Sequence, residues 1–335
     1  MTIREFAAKC QVSPSTASRF FSGKPVSGEI YARLKAACRE TGYEPPSGYR
    51  SRRKTGNVLI TLLPDFQHAY FTDMIRHLAA CAARRGKQLV VLPMQNDGWS
   101  DCLRTIDELH PAGIILLDER SEDPLADILE KRGLPVTVCG SRALSRRFPS
   151  VRIDDFLAAY EGMNYLISLG HRQILILSDT MEAVSSGFQR AAGCRKAAMD
   201  AGLTLEERMI FPVGTTFDAG YEGMGALLAQ DLPFTAVFAF SDDMAAGAIA
   251  RLNDAGLRVP EDVSVLGFDD NSVSTHIRPR LTTVHQPIAQ IAEYTVSGLL
   301  SLERPGDVST LTLPCHVLPR ESCRSVGGHG GGGLK

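Results

Sequence analysis

The chain has 335 residues and a mean hydropathy of -0.05, with 44% hydrophobic, 22% charged and 7% aromatic side chains. This composition is typical of a globular protein of two or three domains, and it excludes the run of ~18 apolar residues that a transmembrane helix needs. The N-terminus also lacks the charged and apolar segments of a secretory signal, so we expect a cytoplasmic protein with no membrane-spanning segment.

The eight cysteines contain no CxxC pair. Their spacing therefore indicates neither a disulfide framework nor a zinc site. Most of them lie inside apolar helix or strand patterns, as Cys81 and Cys139 do, and we expect reduced, buried side chains. The sequence predicts no metal site and no cofactor.

Charge is distributed unevenly along the chain. Residues 1–54 carry 11 basic and four acidic side chains, a formal charge of +7, whereas the remainder carries 25 basic and 34 acidic side chains, a charge of -9. A basic segment ahead of an acidic body indicates a module that binds a polyanion, although an unevenly charged solvated surface would give the same count.

The basic segment has the start signals of three short helices. Thr2 and Glu5 form a capping box for the first helix. Ser13 and Pro14 are the N-cap and first residue of the second helix, and Ser27 caps the third. Only two or three residues separate the first two helices, so the pattern predicts a helix-turn-helix.

Small polar side chains are concentrated at the start of the second helix. Hydroxyl groups can contact phosphates, and an arginine can donate two hydrogen bonds to a guanine. The predicted DNA-binding residues of this helix are Ser13, Pro14, Ser15, Thr16, Ser18 and Arg19.

From residue 57 onwards, short apolar runs alternate with stretches of helical length. This alternation predicts an α/β fold with parallel sheets, and the series divides near residues 152–156 into two units. The predicted strands cover residues 58–63, 89–92, 113–117, 135–139, 174–177, 236–240 and 263–267.

Pairs of aspartates follow three of the apolar runs, beginning at Asp154, Asp242 and Asp269. Ligands of open α/β sheets bind beyond the carboxyl ends of the strands, so we expect these residues to face a cleft. Metal binding and acid–base catalysis are alternatives, but no histidine or glutamate accompanies the pairs at ligand spacing. Hydroxyl acceptors and helix caps are the favoured interpretation.

The ordered motifs resemble those of the lactose-repressor (LacI/GalR) family of bacterial transcriptional regulators, over residues 2 to about 320. The matching segments are 12–19 (VSPSTASR), 23–27 (GKPVS), 190–203, 241–248 (SDDMAAGA), 259–270 (VPEDVSVLGFDD) and 281–287 (LTTVHQP). Gln11 departs from the pattern, because the family has a glycine at this position.

The resemblance implies a helix-turn-helix headpiece, a linker and a two-lobed, periplasmic-binding-protein-like body that binds an effector between its lobes. The expected divisions are a headpiece at 1–44, a linker at 45–56, a body at 57–320 and a flexible glycine-rich tail at 321–335. Within the body we expect lobe 1 at about 57–153 and 285–310, and lobe 2 at about 154–284 and 311–320.

For DNA binding, the resemblance implies that the second helix enters the major groove. Arg19, Ser15 and Pro14 would then face base edges, while the remaining hydroxyl residues of the helix would contact phosphates.

The linker departs from the family pattern. In the family this stretch becomes a hinge helix, whose leucine wedges into the minor groove. Here Arg52 stands at the leucine position, and Gly48 would weaken a helix by about 1 kcal/mol. We therefore hypothesise that Arg50, Arg52 and Arg53 contact the minor groove electrostatically. A disordered basic tether is the alternative.

For effector binding, Arg190 and Asp269 are the residues that the resemblance supports most directly, because a guanidinium and a carboxylate suit the oxygens and hydroxyls of a sugar. The further predicted contacts are Tyr70, Phe71, Asp154, Thr215 and Asp242. Core packing is the alternative for the two aromatic residues, and helix capping is the alternative for Asp242.

The combined prediction is a transcriptional regulator, by family default a repressor, and not an enzyme. It would bind a pseudo-palindromic operator as a homodimer under the control of a sugar, sugar acid or sugar phosphate, with a nucleobase as a further effector class. A solute-binding receptor is the main alternative, because the body alone would suit it, and an α/β enzyme is the third. The family's tetramerising leucine-heptad tail is missing from the sequence, which favours a dimer.

Overall fold

A computed structural model describes most of the chain. The described residues are 2–21, 26–41, 43, 56–64, 66, 68–94, 99–117, 123–140, 148–179, 185–230, 232–302 and 309–326.

The headpiece consists of α1 (Ile3–Lys9), α2 (Pro14–Phe21) and α3 (Gly28–Thr41), which confirms the three predicted helices. The predicted capping box is present, since Thr2 and Glu5 each accept a backbone N–H of the other. A small core holds the helices together, and the rings of Phe6 and Tyr43 stack with their centroids 4.7 Å apart.

The turn between α1 and α2 contains a strained residue. Gln11 has a φ of 52°, in the left-handed region that glycine adopts without steric cost. The backbone needs this conformation here because the N–H of Val12 turns back to the carbonyl of Ala7 at 3.0 Å. Gln11 therefore adopts a backbone conformation that suits the glycine expected from the family pattern.

The body alternates strands and helices along the chain, as predicted. Its elements are β1 (Val58–Leu63), α4 (Ala69–Arg84), β2 (Gln88–Pro93), α5 (Ser100–Leu109), β3 (Gly113–Leu116), α6 (Asp123–Arg132), β4 (Val136–Cys139), β5 (Ser150–Ile153), α7 (Asp155–Ser168), β6 (Ile174–Ser178), α8 (Ser186–Asp200), a 3-10 turn (Glu207–Met209), β7 (Ile210–Pro212), α9 (Phe217–Leu228), β8 (Ala236–Ala239), α10 (Asp242–Asp254), β9 (Ser264–Asp269), α11 (Val273–His276), β10 (Thr282–His285), α12 (Ile288–Ser301), β11 (Thr310–Leu313) and β12 (His316–Leu318).

The strands form two six-stranded sheets, one in each lobe. The sheet of lobe 1 has the order β11-β5-β4-β3-β1-β2, and all its pairs are parallel. The sheet of lobe 2 has the order β12-β10-β9-β8-β6-β7, and only the β10–β12 pair is antiparallel. This arrangement confirms the predicted α/β fold with two parallel-rich sheets.

Burial on both faces explains why the central strands have continuous apolar sequences. In β1, Leu59 and Leu63 enter one hydrophobic cluster, while Ile60 and Leu62 enter another on the opposite face. None of the helices in the described part of the chain is long and apolar enough to cross a membrane.

The C-terminal segment differs from the expected division. β11 pairs with β5, so lobe 1 extends to Leu313 rather than to residue 310. Residues 321–326 belong to lobe 2 rather than to a flexible tail, because Ser322 donates to the carbonyl of Val265 at 2.6 Å and Val326 donates its N–H to the carbonyl of Leu169 at 2.7 Å. Backbone pairing of this kind leaves no apolar periodicity in the sequence.

Close helix contacts in lobe 2 depend on glycines. A Cβ at Gly247 of α10 would collide with the carbonyl oxygen of Phe217 and would lie 2.7 Å from the amide nitrogen of Tyr221, both in α9. The colliding atoms are backbone atoms, so they cannot move away by rotating a side chain. Gly298 in α12 is exposed and has nothing within 4 Å of its ideal Cβ position.

We expect Gly247→Ala to lower the free energy of unfolding by at least about 1–3 kcal/mol, because α9 and α10 must separate to admit the methyl group. Gly298→Ala is the matched control, and it should raise stability by about 0.5–1 kcal/mol through helix propensity alone. Urea unfolding of both variants measures the difference, and equal effects would contradict the role of Gly247 in helix packing.

A buried histidine connects the C-terminal segment to lobe 2. Nδ1 of His171 lies 2.9 Å from the hydroxyl of Thr235, and Nε2 lies 3.0 Å from the hydroxyl of Ser264 and 3.1 Å from the carbonyl of Arg324. Burial lowers the pKa of His171 below its ordinary value. The folded protein therefore holds a neutral imidazole.

We expect His171 to contribute stability that is complete above about pH 6.5 and is lost as the pH falls, since the unfolded chain then binds a proton that the buried ring does not. His171→Gln should consequently destabilise the protein more at about pH 8 than at about pH 5. Urea unfolding of both proteins at the two pH values checks this, and a constant difference would rule out the proton linkage.

Candidate functional site

The predicted DNA-binding residues of the headpiece lie at the N-cap and in the first two turns of α2. Ala17 is fully buried and fixes one side of this helix against the headpiece core. The hydroxyl of Ser13 accepts the backbone N–H of Thr16 at 3.0 Å and lies 2.7 Å from the hydroxyl of Ser15. Ser13 thus caps α2, as predicted, and the hydroxyls at the start of the helix are pre-organised.

Exposure separates these residues into two groups. Ser13, Pro14, Ser15 and Arg19 are exposed, whereas Thr16 and Ser18 are half-buried. Their contacts with DNA remain a prediction. Arg50, Arg52 and Arg53, the predicted contacts of the linker, lie outside the described residues.

Asp269 ends β9 at the carboxyl edge of the lobe 2 sheet. Its φ of 114° is in the left-handed region, as is the φ of 60° at Asp270. A residue other than glycine in this conformation costs about 1–3 kcal/mol of folding free energy, and it persists only where surrounding contacts hold it in place. Here Asp270 is fixed by His285 Nδ1 at 2.8 Å and by Arg320 Nη2 at 2.5 Å.

The carboxylate of Asp269 is almost fully buried. Its Oδ1 accepts a hydrogen bond from Gln286 Nε2 at 2.7 Å. Its Oδ2 has no hydrogen-bond partner in the described part of the chain. Burial raises the pKa of Asp269 to about 8, and the charge of Arg190 opposes this shift.

Arg190 reaches the same place from α8. Its Nε donates to Asp155 Oδ1 at 2.9 Å, and its Nη1 donates to the carbonyl of Phe240 at 2.6 Å. The guanidinium carbon lies 3.7 Å from the ring centroid of Phe268, so the cation is stacked on an aromatic face. A Cβ at Gly193 would collide with the carbonyl of Phe156, which shows that this glycine lets α8 approach α7 closely enough for the ion pair.

Tyr70, in α4 of lobe 1, lies near these side chains of lobe 2. Its hydroxyl is buried beside Gly140, where a Cβ would collide with it, and it has no hydrogen-bond partner among the described residues. Burial raises the pKa of Tyr70, the nearby charges of Asp269 and Asp155 raise it further, and Arg190 lowers it. The Tyr70 hydroxyl therefore lies within electrostatic range of Asp269, Asp155 and Arg190, and these four residues form the candidate effector cluster.

The other predicted effector contacts are placed differently. Asp242 is fully buried, and its two oxygens accept from the amide of Asn271 at 2.9 Å and from the hydroxyl of Thr283 at 2.6 Å. It joins α10 to β10 and to the loop after β9 within lobe 2, and it is not the helix cap, because Ser241 caps α10. Packing of a carboxylate among distant strands leaves no local sequence signal.

Three further residues also have local structural roles. Asp154 caps α7 through the N–H of Leu157 at 3.1 Å and lines a separate pocket of about 260 Å³. The carbonyl of Thr215 accepts from the Ser241 hydroxyl at 3.0 Å. Phe71 packs its ring 5.7 Å from that of Tyr70, against the hydrophobic core.

Sequence reasoning did not identify Asp155 and Gln286 as site residues. Asp155 belongs to the pair that begins at Asp154, but the residue it binds, Arg190, lies 35 positions further along the chain. Gln286 follows β10 and precedes a proline. Its position where the chain passes from lobe 2 to lobe 1 is the sequence signal that could have indicated a site residue. In the described ranges no group of three or more His, Cys, Asp or Glu side chains could hold a metal ion.

Comparisons with known proteins bear on the fold of the body. A family model for a periplasmic binding protein-like domain matches residues 163–323. Among solved structures, the transcriptional regulator CelR–cellobiose complex has a TM-score of 0.72 at 28% identity and covers 96% of this chain and 99% of its own. A LacI family transcriptional regulator from Mycobacterium smegmatis has a TM-score of 0.70 at 28% identity and covers 79% and 99%.

Curated relatives match over nearly the whole chain, headpiece included. The HTH-type transcriptional repressor CytR of Escherichia coli (strain K12) is 32% identical over 333 residues, which is 97% of each chain. The catabolite control protein A of Priestia megaterium is 28% identical and covers 97% of this chain and 99% of its own. These relatives are regulators and not enzymes, in agreement with the prediction, and the chain belongs to the LacI family of helix-turn-helix transcriptional regulators.

Proposed function

We propose that this regulator binds a pseudo-palindromic operator as a homodimer, and that a neutral hydroxyl-bearing molecule, a sugar in the first instance, controls its operator affinity from a site at Tyr70, Arg190 and Asp269. The observation that carries this proposal is the pair of buried polar atoms, Asp269 Oδ2 and the Tyr70 hydroxyl, that lack partners in the described part of the chain. Buried groups of this kind are costly unless a partner satisfies them.

A ligand hydroxyl suits both atoms. It can donate a hydrogen bond to the Asp269 carboxylate and accept one from the Tyr70 hydroxyl. Because Tyr70 belongs to lobe 1 and Asp269 to lobe 2, such a ligand would bind both lobes at once. Its binding energy would then depend on the angle between them.

The charges of the cluster favour a neutral ligand over an anionic one. Arg190, the only cation among the side chains of the described cluster, already donates to Asp155 and to a carbonyl oxygen. Its charge is thus balanced by the Asp155 carboxylate, and Asp269, whose pKa burial raises to about 8, supplies no further cation for an anionic ligand. A sugar acid or sugar phosphate would bring further negative charge to this place, so we rank these classes below a neutral sugar. The similar CelR structure is a complex with cellobiose, a neutral disaccharide, which is consistent with this ranking.

For DNA, the exposed polar face of α2 supports major-groove binding. Two headpieces on a two-fold axis would contact two half-sites, and an effector that changes the lobe angle would change their spacing. A coupling free energy of about 1–3 kcal/mol between the two sites corresponds to a roughly 5–150-fold change in affinity.

We expect the purified protein to select a palindromic duplex from a random library, and a neutral mono- or disaccharide to change its dissociation constant for that duplex by roughly 5–150-fold. Fluorescence anisotropy measures the change with a panel of neutral sugars, sugar acids, sugar phosphates and nucleosides. Asp269→Asn, which keeps the shape of the side chain, should keep the ligand-free affinity and lose the change. A response confined to the anionic compounds, or binding that depends on salt but not on sequence, would contradict the proposal.

We expect Asp269→Asn and Asp242→Ala to separate effector binding from stability. Asp269→Asn should abolish the effector response and change the free energy of unfolding by less than about 1 kcal/mol, because the side chain keeps its shape. Asp242→Ala should lower that free energy by about 1–3 kcal/mol, since the buried amide of Asn271 loses its acceptor. Urea unfolding and the anisotropy assay decide between them, and the reverse pattern would overturn our assignment of the two carboxylates.

A further inference from the structure

A direct hydrogen bond joins the two lobes beside the effector cluster. The backbone N–H of Ala69, the first residue of α4 in lobe 1, donates to Asp243 Oδ2 at 3.2 Å. Asp243 is the second residue of α10 in lobe 2, 174 positions further along the chain, and its side chain is half-buried. The carboxylate of Asp243 in lobe 2 therefore binds the N-terminus of α4 in lobe 1.

In each lobe, a different residue caps the helix that this contact involves. Ser241 caps α10, and Asp242 makes the hydrogen bonds within lobe 2, so the carboxylate of Asp243 is not required for either purpose. On the other side, His68 caps α4 by accepting the N–H of Tyr70 at 3.1 Å, which leaves the N–H of Ala69 for Asp243.

Electrostatics favours a carboxylate at this place. The first N–H groups of a helix have no partners within the helix, and the aligned peptide dipoles make its N-terminus positive. The 16 residues of α4 give a complete macrodipole of this kind. Burial raises the pKa of Asp243, and the hydrogen bond from Ala69 opposes that shift by favouring the ionised form.

The contact lies directly next to a candidate site residue. Tyr70 follows Ala69 directly in α4, and its hydroxyl lies in the effector cluster near Asp269. Any separation of Ala69 from Asp243 would move the first turn of α4, and with it the Tyr70 ring, relative to lobe 2.

We propose that Asp243 is a positioning residue that latches the two lobes together by capping α4 across the cleft, and that it thereby places Tyr70 opposite Asp269. The latch goes beyond the proposed effector function, because lobe contact can be measured in the absence of any ligand or DNA. It predicts that removal of the carboxylate loosens the first turn of α4 without unfolding lobe 2.

Hydrogen–deuterium exchange of the full-length, ligand-free protein tests the latch. In Asp243→Ala we expect the amides of residues 69–72 to exchange about five-fold faster, the factor that corresponds to one typical net hydrogen bond. The amides of β8 and β9 should be unchanged. Asp243→Asn keeps an oxygen acceptor and should restore most of the protection.

Asp218→Ala is the matched control. Asp218 is an exposed carboxylate in the first turn of α9 in lobe 2, and no side-chain hydrogen bond of it is found in the described part of the chain. This variant should exchange like the wild type. Unchanged exchange of residues 69–72 in Asp243→Ala would overturn the latch, and so would faster exchange throughout α10 and its sheet, which would indicate a role within lobe 2.

The anisotropy assay supplies a second readout. Asp243→Ala should need about five-fold more of whichever panel compound shifts the wild type, while Asp218→Ala responds as the wild type does. If no compound shifts the wild type, the effector proposal fails, but the exchange result still decides whether Asp243 latches the lobes.

Discussion

The guanidinium of Arg190 is buried against an aromatic ring, and a protein interior tolerates such a charge only when its hydrogen-bonding groups are matched. Lobe 2 supplies the match from three elements: Asp155 in the first turn of α7, the carbonyl of Phe240 after β8, and the face of Phe268 in β9. The cation therefore fixes how these elements sit relative to one another. Asp269 is the residue after Phe268, so the position of the candidate ligand acceptor follows from the same constraint.

The lobes meet through two kinds of contact with different tolerance for movement. One hydrophobic cluster is continuous through both, from Leu59 in β1 to Phe268 in β9. Apolar contact has no directional requirement, so small rotations preserve it. A hydrogen bond such as that between Ala69 and Asp243 weakens steeply when its distance or angle changes. The apolar cluster therefore tolerates small changes in the angle between the lobes, whereas the hydrogen bond between Ala69 and Asp243 does not.

Sequence reasoning succeeded where a residue's role is local or periodic. Capping residues predicted the helices of the headpiece, and apolar runs predicted the central strands. Family motifs pointed to Arg190 and Asp269, whose role in effector binding stays a prediction. It failed where the role depends on distant partners. β11 has three exposed residues out of four, so its pairing with β5 leaves no burial pattern to detect. Of the adjacent aspartates of α10, Asp242 makes hydrogen bonds within lobe 2 and Asp243 contacts lobe 1, and nothing in their local sequence separates these roles.

The placement of β11 and β12 has a consequence for the order in which the protein is made. The headpiece core is closed by Tyr43, whereas the sheet of lobe 1 takes β11 and the sheet of lobe 2 takes β12 as an edge strand. Ribosomes extend chains at roughly 5–20 residues per second, so the headpiece can fold on the order of tens of seconds before residues 310–318 emerge. The nascent chain then carries a complete headpiece beside two incomplete lobes. Both lobes therefore gain these edge strands at nearly the same moment, at the end of body synthesis.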